Sequence, residues 1–167
     1  MSTRRDAREW VIQLLFHLDM NPVDTNVAFD DFWKERTPDA ASRAFAEELV
    51  RGTVSHLSEL DAVLQEKAQN WSLARMGGVE RNVLRMAVYE LLHRRDIPPV
   101  VTINEAVDIA KYFSGAESGH FINGILDRVR EGLDRPARTP ADGADPRPAK
   151  GRRPRKAVAP AAPAKAT

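Results

Sequence analysis

The amino-acid sequence predicts an all-α fold. Apolar residues recur at three- and four-residue steps in one segment after another, and no segment shows the sustained alternation of a strand. Gly-Gly, Pro-Pro and Ser-Gly pairs separate several of these segments. A chain of 167 residues suits one domain with at most a modest second one. We therefore predict about seven helices in two small packed bundles, three helices in the first and four in the second.

Three helices are predicted in the amino-terminal bundle, about residues 1–57. The first runs from about Thr3 to Met20, with Ser2 or Thr3 available as its cap, and a proline at residue 22 ends it. A short second helix is predicted from about Val27 to Arg36, and a third from about Ala40 to Leu57.

Four helices are predicted in the carboxy-terminal bundle, about residues 58–134. Ser58 with Asp61, and Thr102 with Glu105, have the spacing of capping boxes, which predicts that the fourth and sixth helices begin there. Between them, the fifth helix is predicted from about Val79 to His93, and Ser114-Gly115 is expected to end the sixth. The seventh helix is predicted from Phe121 to Val129.

Charge is distributed unevenly along the chain. Residues 1–134 contain 16 Lys and Arg against 22 Asp and Glu, a net charge of −6, whereas residues 135–167 contain 9 against 2, a net charge of +7. This carboxy-terminal tail holds 7 of the 11 prolines and no aromatic residue, so we expect it to be disordered. Its basic cluster favours either nonspecific contact with RNA phosphates or a purely solubilising role. Any nucleic-acid site on residues 1–134 must therefore be a local basic patch.

Several classes of protein are disfavoured by composition. The chain has no cysteine, so disulfides, thiolate metal sites and a cysteine nucleophile are impossible. No stretch is apolar enough for a membrane span, and the first residues lack the apolar core of a secretory signal. These observations predict a cytoplasmic protein without a membrane association.

Four blocks of the sequence, in this order and at these spacings, resemble NusB-type transcription antitermination factors: RRDAREWVIQLLF, VERNVLRMAVYELL, IPPVVTINEAVDIAKYF and FINGILD. The resemblance covers about residues 4–129. It implies an all-α protein of two small bundles that binds the boxA element of nascent RNA together with NusE, the ribosomal protein S10. It also implies a role in the RNA polymerase antitermination complex on ribosomal RNA operons.

The first helix contains a candidate RNA site. Arg4, Arg5 and Arg8 lie at three- and four-residue spacings, so we expect them to share one face that contacts successive phosphates. Arginine also stacks on unpaired bases, which suits single-stranded RNA. From the residues alone, an ordinary solvated turn is the alternative, and the resemblance favours RNA contact. Asp6 interrupts the basic run, where it would repel phosphate or pair with an arginine.

His120 and Phe121 form a second candidate RNA contact. They are predicted at the start of the last helix, where a ring can stack on a base and free N–H groups can receive phosphate. The resemblance places RNA here as well. The alternative is that Phe121 belongs to the core.

The resemblance also implies a surface for the ribosomal partner. It directs attention to Phe16 on the first helix and to Glu80, Arg81 and Arg85 on the fifth. A favourable charge in the first helical turn is the alternative for Glu80, and core burial is the alternative for Phe16. The sequence leaves open whether the protein is a monomer or a homodimer.

An enzymatic function is disfavoured, and no cofactor or metal is expected. Glu90 with His93, and Glu105 with Asp108, have spacings that acid–base or metal chemistry uses. The four histidines lie in separate segments, however, and the chain contains neither a phosphate-binding glycine loop nor a serine elbow. The alternative to an RNA-binding factor is a helical adaptor that binds only protein, with the arginines merely solvated.

Overall fold

The computed structural model describes residues 3–133, and the predicted disorder of residues 135–167 lies outside this range. The described residues form seven α-helices, a single turn of 3-10 helix at Leu73–Arg75, and no strand. The prediction of an all-α fold is thereby confirmed. The helices are α1 (Arg4–Met20), α2 (Thr25–Trp33), α3 (Ala40–Ser55), α4 (Leu57–Lys67), α5 (Gly78–His93), α6 (Pro99–Ser114) and α7 (Ala116–Glu131).

Helix α5 is the centre of the structure. It packs against α1, α3, α4, α6 and α7, and residues 81–91 are all buried. Each buried Val or Leu side chain contributes on the order of 1.5–3 kcal/mol to folding. The same helix also buries Arg81, Arg85 and Glu90, and a buried charge is stable only when it is paired. Arg81, Arg85 and Glu90 therefore each need a partner of opposite charge on a neighbouring helix.

Helix α1 begins as the sequence predicts. Thr3 is its cap, because Thr3 Oγ1 accepts a hydrogen bond from Asp6 N at 3.1 Å and Asp6 Oδ2 accepts one from Thr3 N at 2.8 Å. Ala7 and Val11 are fully buried against the core. This cap holds the first turn of α1, and with it Arg4 and Arg5, at a fixed edge of the molecule.

The two predicted capping boxes are wrong. Helix α4 begins at Leu57 without a side-chain cap, and α6 begins at Pro99, a residue type suited to the first helical position. Arg85 pairs with Asp61, and Arg5 pairs with Glu105, so both carboxylates are used in contacts between helices. Tertiary ion pairs have replaced the local hydrogen bonds that the spacing predicted.

A tight turn joins α6 to α7, where Gly115 has a φ of 91°. Residues with a side chain rarely adopt this backbone conformation, so glycine is favoured there. The predicted end of the sixth helix at Ser114-Gly115 is confirmed. The predicted division near Ser58 falls close to the junction of α3 and α4. One continuous hydrophobic core includes residues from all seven helices, so the separation into two bundles stays a prediction.

Candidate nucleic-acid interface

Arg8 is buried, so the prediction of one exposed face for all three arginines is wrong at this position. The side chain donates to both oxygens of Glu90 on α5, from Nε at 3.0 Å and from Nη2 at 2.6 Å. Arg8 is 2% exposed and Glu90 is 0% exposed, and Thr102 Oγ1 also donates to Glu90 at 3.2 Å. Arg8 lies on a buried stripe of α1 with Ile12 and Leu15. Its guanidinium therefore joins α1 to α5 and is not accessible to RNA.

Arg4 and Arg5 remain at the surface. The guanidinium of Arg4 lies over the ring of Phe45, with 4.6 Å between Cζ and the ring centroid. Arg5 donates from Nε to Glu105 and from Nη2 to Asp108 at 3.1 Å, and 36% of its side chain is exposed. The hydrogen bond to Glu105 raises the pKa of Arg5 above its ordinary value. Both arginines are therefore held in place at the surface by their contacts, and Arg5 stays charged.

Asp6 takes no part in the surface ion pairs of these arginines. Its carboxylate faces Thr3, and the hydrogen bond from the Thr3 backbone lowers the pKa of Asp6 below its ordinary value. The expected pairing of Asp6 with an arginine is therefore not observed. Its role is to begin α1, and the negative charge beside the arginines is the cost of that cap.

His120 and Phe121 lie in the second turn of α7, because the helix begins at Ala116. The prediction that free N–H groups of a helix start adjoin them is wrong, since those groups belong to earlier residues. His120 is exposed. Phe121 is partly buried and packs edge to face against Trp71, with 5.5 Å between ring centroids. Trp71 is 57% exposed, which leaves an aromatic surface open to solvent.

Lys111 connects the two candidate RNA contacts and was missed by the sequence analysis. It follows Asp108, the partner of Arg5, by one turn of α6 and is exposed. Its aliphatic stem lies over Gly119 of α7, where an added Cβ would come within 2.6 Å of Lys111 Cγ. His120 is the next residue. Cationic and aromatic groups thus lie from the start of α1 across α6 to α7, together with the carboxylates of Glu105 and Asp108 that pair with Arg5.

The residues proposed for the ribosomal partner fall into two groups, one partly exposed and one buried in ion pairs. Phe16 and Glu80 form the partly exposed group. Phe16 is 40% exposed, so core burial does not explain it, and its ring covers Gly78 at the start of α5. Met20, one turn further along α1, also lies near Gly78 and is 57% exposed. Glu80 accepts a hydrogen bond from Ser118 Oγ at 2.5 Å. Phe16 and Met20 therefore form an exposed apolar surface, and Glu80 is tied to α7.

Arg81 and Arg85 are buried within ion pairs that hold the helices together. Arg81 Nη2 donates to Asp19 at 2.7 Å, and Arg85 Nε donates to Asp61 at 2.8 Å. Burial alone would raise the pKa of Asp19, but hydrogen bonds from Arg81 and Asn82 lower it below its ordinary value. These arginines join α5 to α1 and α4. Direct contact of either guanidinium with a partner would require breaking such a pair.

The residues that an acid–base reading would use are occupied in other contacts. Glu90 binds Arg8 and Thr102, whereas Glu105 and Asp108 both face Arg5. None of these carboxylates faces a histidine, because His93 lies beside Glu59 instead.

No helix in the described part of the chain is both long and apolar enough to cross a membrane.

Comparison with known proteins assigns the family. Residues 5–131 match the model of the NusB family. The transcription antitermination protein NusB of Desulfitobacterium hafniense is 47% identical over 135 residues, which cover 80% of this chain and 91% of the relative. The NusB protein of Myxococcus xanthus is 43% identical over 142 residues, covering 81% of this chain and 100% of the relative.

Solved structures agree with this assignment. T. maritima NusB superposes with a TM-score of 0.72 at 39% identity, covering 78% of this chain and 92% of that protein. A crystal structure of the antitermination factors NusB and NusE in complex with double-stranded RNA gives a TM-score of 0.72 at 27% identity, over 78% of this chain and 97% of the matched one. The fold, the matched sequence blocks and these relatives agree, and the chain belongs to the NusB family.

Proposed function

We propose that this protein is a transcription antitermination factor that binds boxA-type single-stranded RNA together with NusE, within the RNA polymerase antitermination complex. The relatives are named for transcription antitermination, which is a non-enzymatic role, and a related NusB has been solved with NusE and RNA. We further propose that it acts in the cytoplasm and without catalysis.

The observation that carries the proposal is the surface position of Arg4 and Arg5 at the first turn of α1. Residues 1–134 have a net charge of −6, so phosphate must be attracted by a local group of cations. Arg4 lies over Phe45, and Arg5 keeps 36% of its side chain exposed while it pairs with Glu105 and Asp108. Lys111 extends the group of cations across α6. A single strand can place successive phosphates along this group because its backbone is flexible.

The aromatic groups of α7 supply the second part of the proposed RNA site. Phe121 is partly buried and packs against Trp71, which is itself exposed. His120 precedes Phe121 on α7 and is exposed. Stacking of an unpaired base on such a ring contributes about 1–3 kcal/mol and tolerates different bases. We propose that phosphates follow Arg4, Arg5 and Lys111, and that a base is held near His120 and Phe121.

The proposed surface for NusE lies at the opposite end of α1 from the arginines. Phe16 and Met20 expose an apolar patch beside Gly78, and Glu80 stands near the start of α5. Exposed apolar surface of this kind favours a protein partner. A homodimer that used the same patch would compete with NusE.

The RNA proposal is tested by titrating labelled boxA RNA against the full chain, with and without NusE, beside a scrambled strand and a duplex. We expect boxA to bind more tightly than the scrambled strand, and NusE to increase this preference. Arg4→Ala with Arg5→Ala should weaken binding. Arg43→Ala with Arg51→Ala is the control, because it removes two exposed arginines of α3 and changes the net charge equally.

The partner surface is tested in the same assay with Phe16→Ala. We expect weaker NusE binding and unchanged affinity for RNA alone, because Phe16 lies away from the arginines. If boxA binds no better than the scrambled strand with NusE present, the protein is a helical adaptor and the RNA proposal is wrong.

A further inference from the structure

Two histidines and a carboxylate converge where α3, α4 and α5 meet. His56 caps the end of α3, Glu59 lies in the first turn of α4, and His93 ends α5. One ligand atom from each side chain lies within 4.8 Å of the other two. His56 and Glu59 lie three residues apart at the junction of α3 and α4, on either side of the predicted division near Ser58. The packing of α5 against these helices brings His93 to them.

The ring of His56 is oriented by the backbone. Its Nδ1 lies 2.8 Å from the carbonyl oxygen of Gly52, and a carbonyl oxygen can only accept, so Nδ1 carries the hydrogen. In the neutral ring the lone pair is then on Nε2. Histidine ligands of metal ions commonly donate their second ring nitrogen to a carbonyl in this way. His56 is therefore prepared to bind a cation through Nε2.

His93 and Glu59 have the separation of two ligands of one metal ion. Nε2 of His93 lies 3.2 Å and 3.3 Å from the two oxygens of Glu59. A tetrahedral zinc ion with bonds of about 2.0–2.1 Å holds neighbouring ligand atoms about 3.3–3.4 Å apart. These two side chains need little movement to bind one metal ion together.

The two imidazole rings lie close together and are tilted relative to each other. Their centroids are 4.1 Å apart and their planes differ by 34°. The ring of Tyr89 stacks on His93 at 5.4 Å and lies 5.8 Å from His56, which restricts the motion of both rings. Two protonated rings at this distance would repel each other, whereas two neutral rings can bind one cation together. Glu59 supplies the negative charge that such a cation needs.

We propose that His56, Glu59 and His93 form a binding site for a divalent transition-metal ion of the zinc class, with water in the remaining position. Two imidazoles and one carboxylate match the ligand preference of zinc and leave a coordination position for solvent, to which Glu59 and His93 are exposed. The bound ion would join the end of α5 to the junction of α3 and α4. It would therefore stabilise the contact between the first three helices and the rest of the fold.

The experiment is a calorimetric titration of Zn²⁺ into the full chain prepared without a histidine tag. We expect one ion per chain, and at least a tenfold weaker affinity in each of Glu59→Gln, His93→Gln and His56→Gln. The control is His17→Gln with His120→Gln, which removes the other two histidines and should leave binding unchanged. Circular dichroism shows whether each variant is folded.

Cobalt supplies a second measurement that does not depend on the variants. Co²⁺ bound at this site should give visible absorption bands of low-symmetry coordination by nitrogen and oxygen, and Zn²⁺ should displace it. The melting temperature of the wild-type chain should rise with Zn²⁺, and that of Glu59→Gln should not. The proposal is overturned if the wild-type chain shows no saturable binding, or if the folded Glu59→Gln and His93→Gln variants bind as tightly as the wild type.

Discussion

Replacing Arg8 should destabilise the fold far more than it affects the RNA site. Arg8→Met leaves Glu90 fully buried with no cation, and its one remaining side-chain hydrogen bond comes from Thr102. Removing one partner of a buried ion pair costs about 3–5 kcal/mol. The pair of Arg5 with Glu105 and Asp108 is partly exposed and solvent-screened, so Arg5→Ala should cost less than about 1 kcal/mol.

The assay is urea denaturation of the wild-type chain, Arg8→Met and Arg5→Ala, followed by circular dichroism. In a thermal melt of the same proteins, a loss of about 3–5 kcal/mol should lower the melting temperature of a domain of this size by roughly 10 °C or more. Arg8→Met combined with Glu90→Gln should recover part of the loss, because no unpaired charge remains and the amide oxygen still accepts from Thr102. If Arg8→Met lowers the free energy of unfolding no more than Arg5→Ala does, the buried pair of Arg8 and Glu90 does not stabilise the fold.

Three further outcomes are expected. Burial and the hydrogen bond to Glu48 raise the pKa of Tyr89 to about 12. The contribution of Tyr89 to stability is therefore present below pH 10 and is lost as the pH rises toward 12. Tyr89→Phe should flatten that part of a pH–stability profile. Gly52→Ala should destabilise the fold by about 1–3 kcal/mol because the new Cβ would meet the Tyr89 ring, whereas Gly124→Ala, facing open space in α7, should stabilise it by about 0.5–1 kcal/mol, as thermal melts can show. Deleting the residues after Arg135 should weaken boxA binding and reduce its salt dependence, and unchanged values for both would dismiss a contribution from the basic tail.

The helices and the core could be predicted from the sequence because they depend on local periodicity. The four-residue spacing of Ala7 and Val11 predicts that they share the buried face of α1. Gly115 ends α6 where a positive φ is required. The two wrong capping boxes show the limit of such reasoning. Asp61 and Glu105 have the right spacing for a cap, but each is used by an arginine from another helix.

The candidate site could be predicted only in part, because its contacts join residues that are far apart in the sequence. Arg8 has the spacing of a surface residue beside Arg4, yet its partner Glu90 is 82 residues away and no local pattern reveals it. Lys111 and Trp71 were missed because their relevance comes from contacts with Gly119 and Phe121 on α7. No local pattern marked Lys111, because the sequence predicted the seventh helix only from Phe121, which leaves Gly119 before it.

The most direct test of the account is the salt dependence of boxA affinity for three folded proteins in the presence of NusE. Each lost phosphate contact to a single strand should reduce the slope of log affinity against log salt by about 0.7. We expect a reduction of about 1.4 for Arg4→Ala with Arg5→Ala, and no reduction for Arg8→Met. An unchanged slope in the double variant, or an equal reduction in Arg8→Met, would contradict the claim that the exposed arginines of α1 hold the RNA.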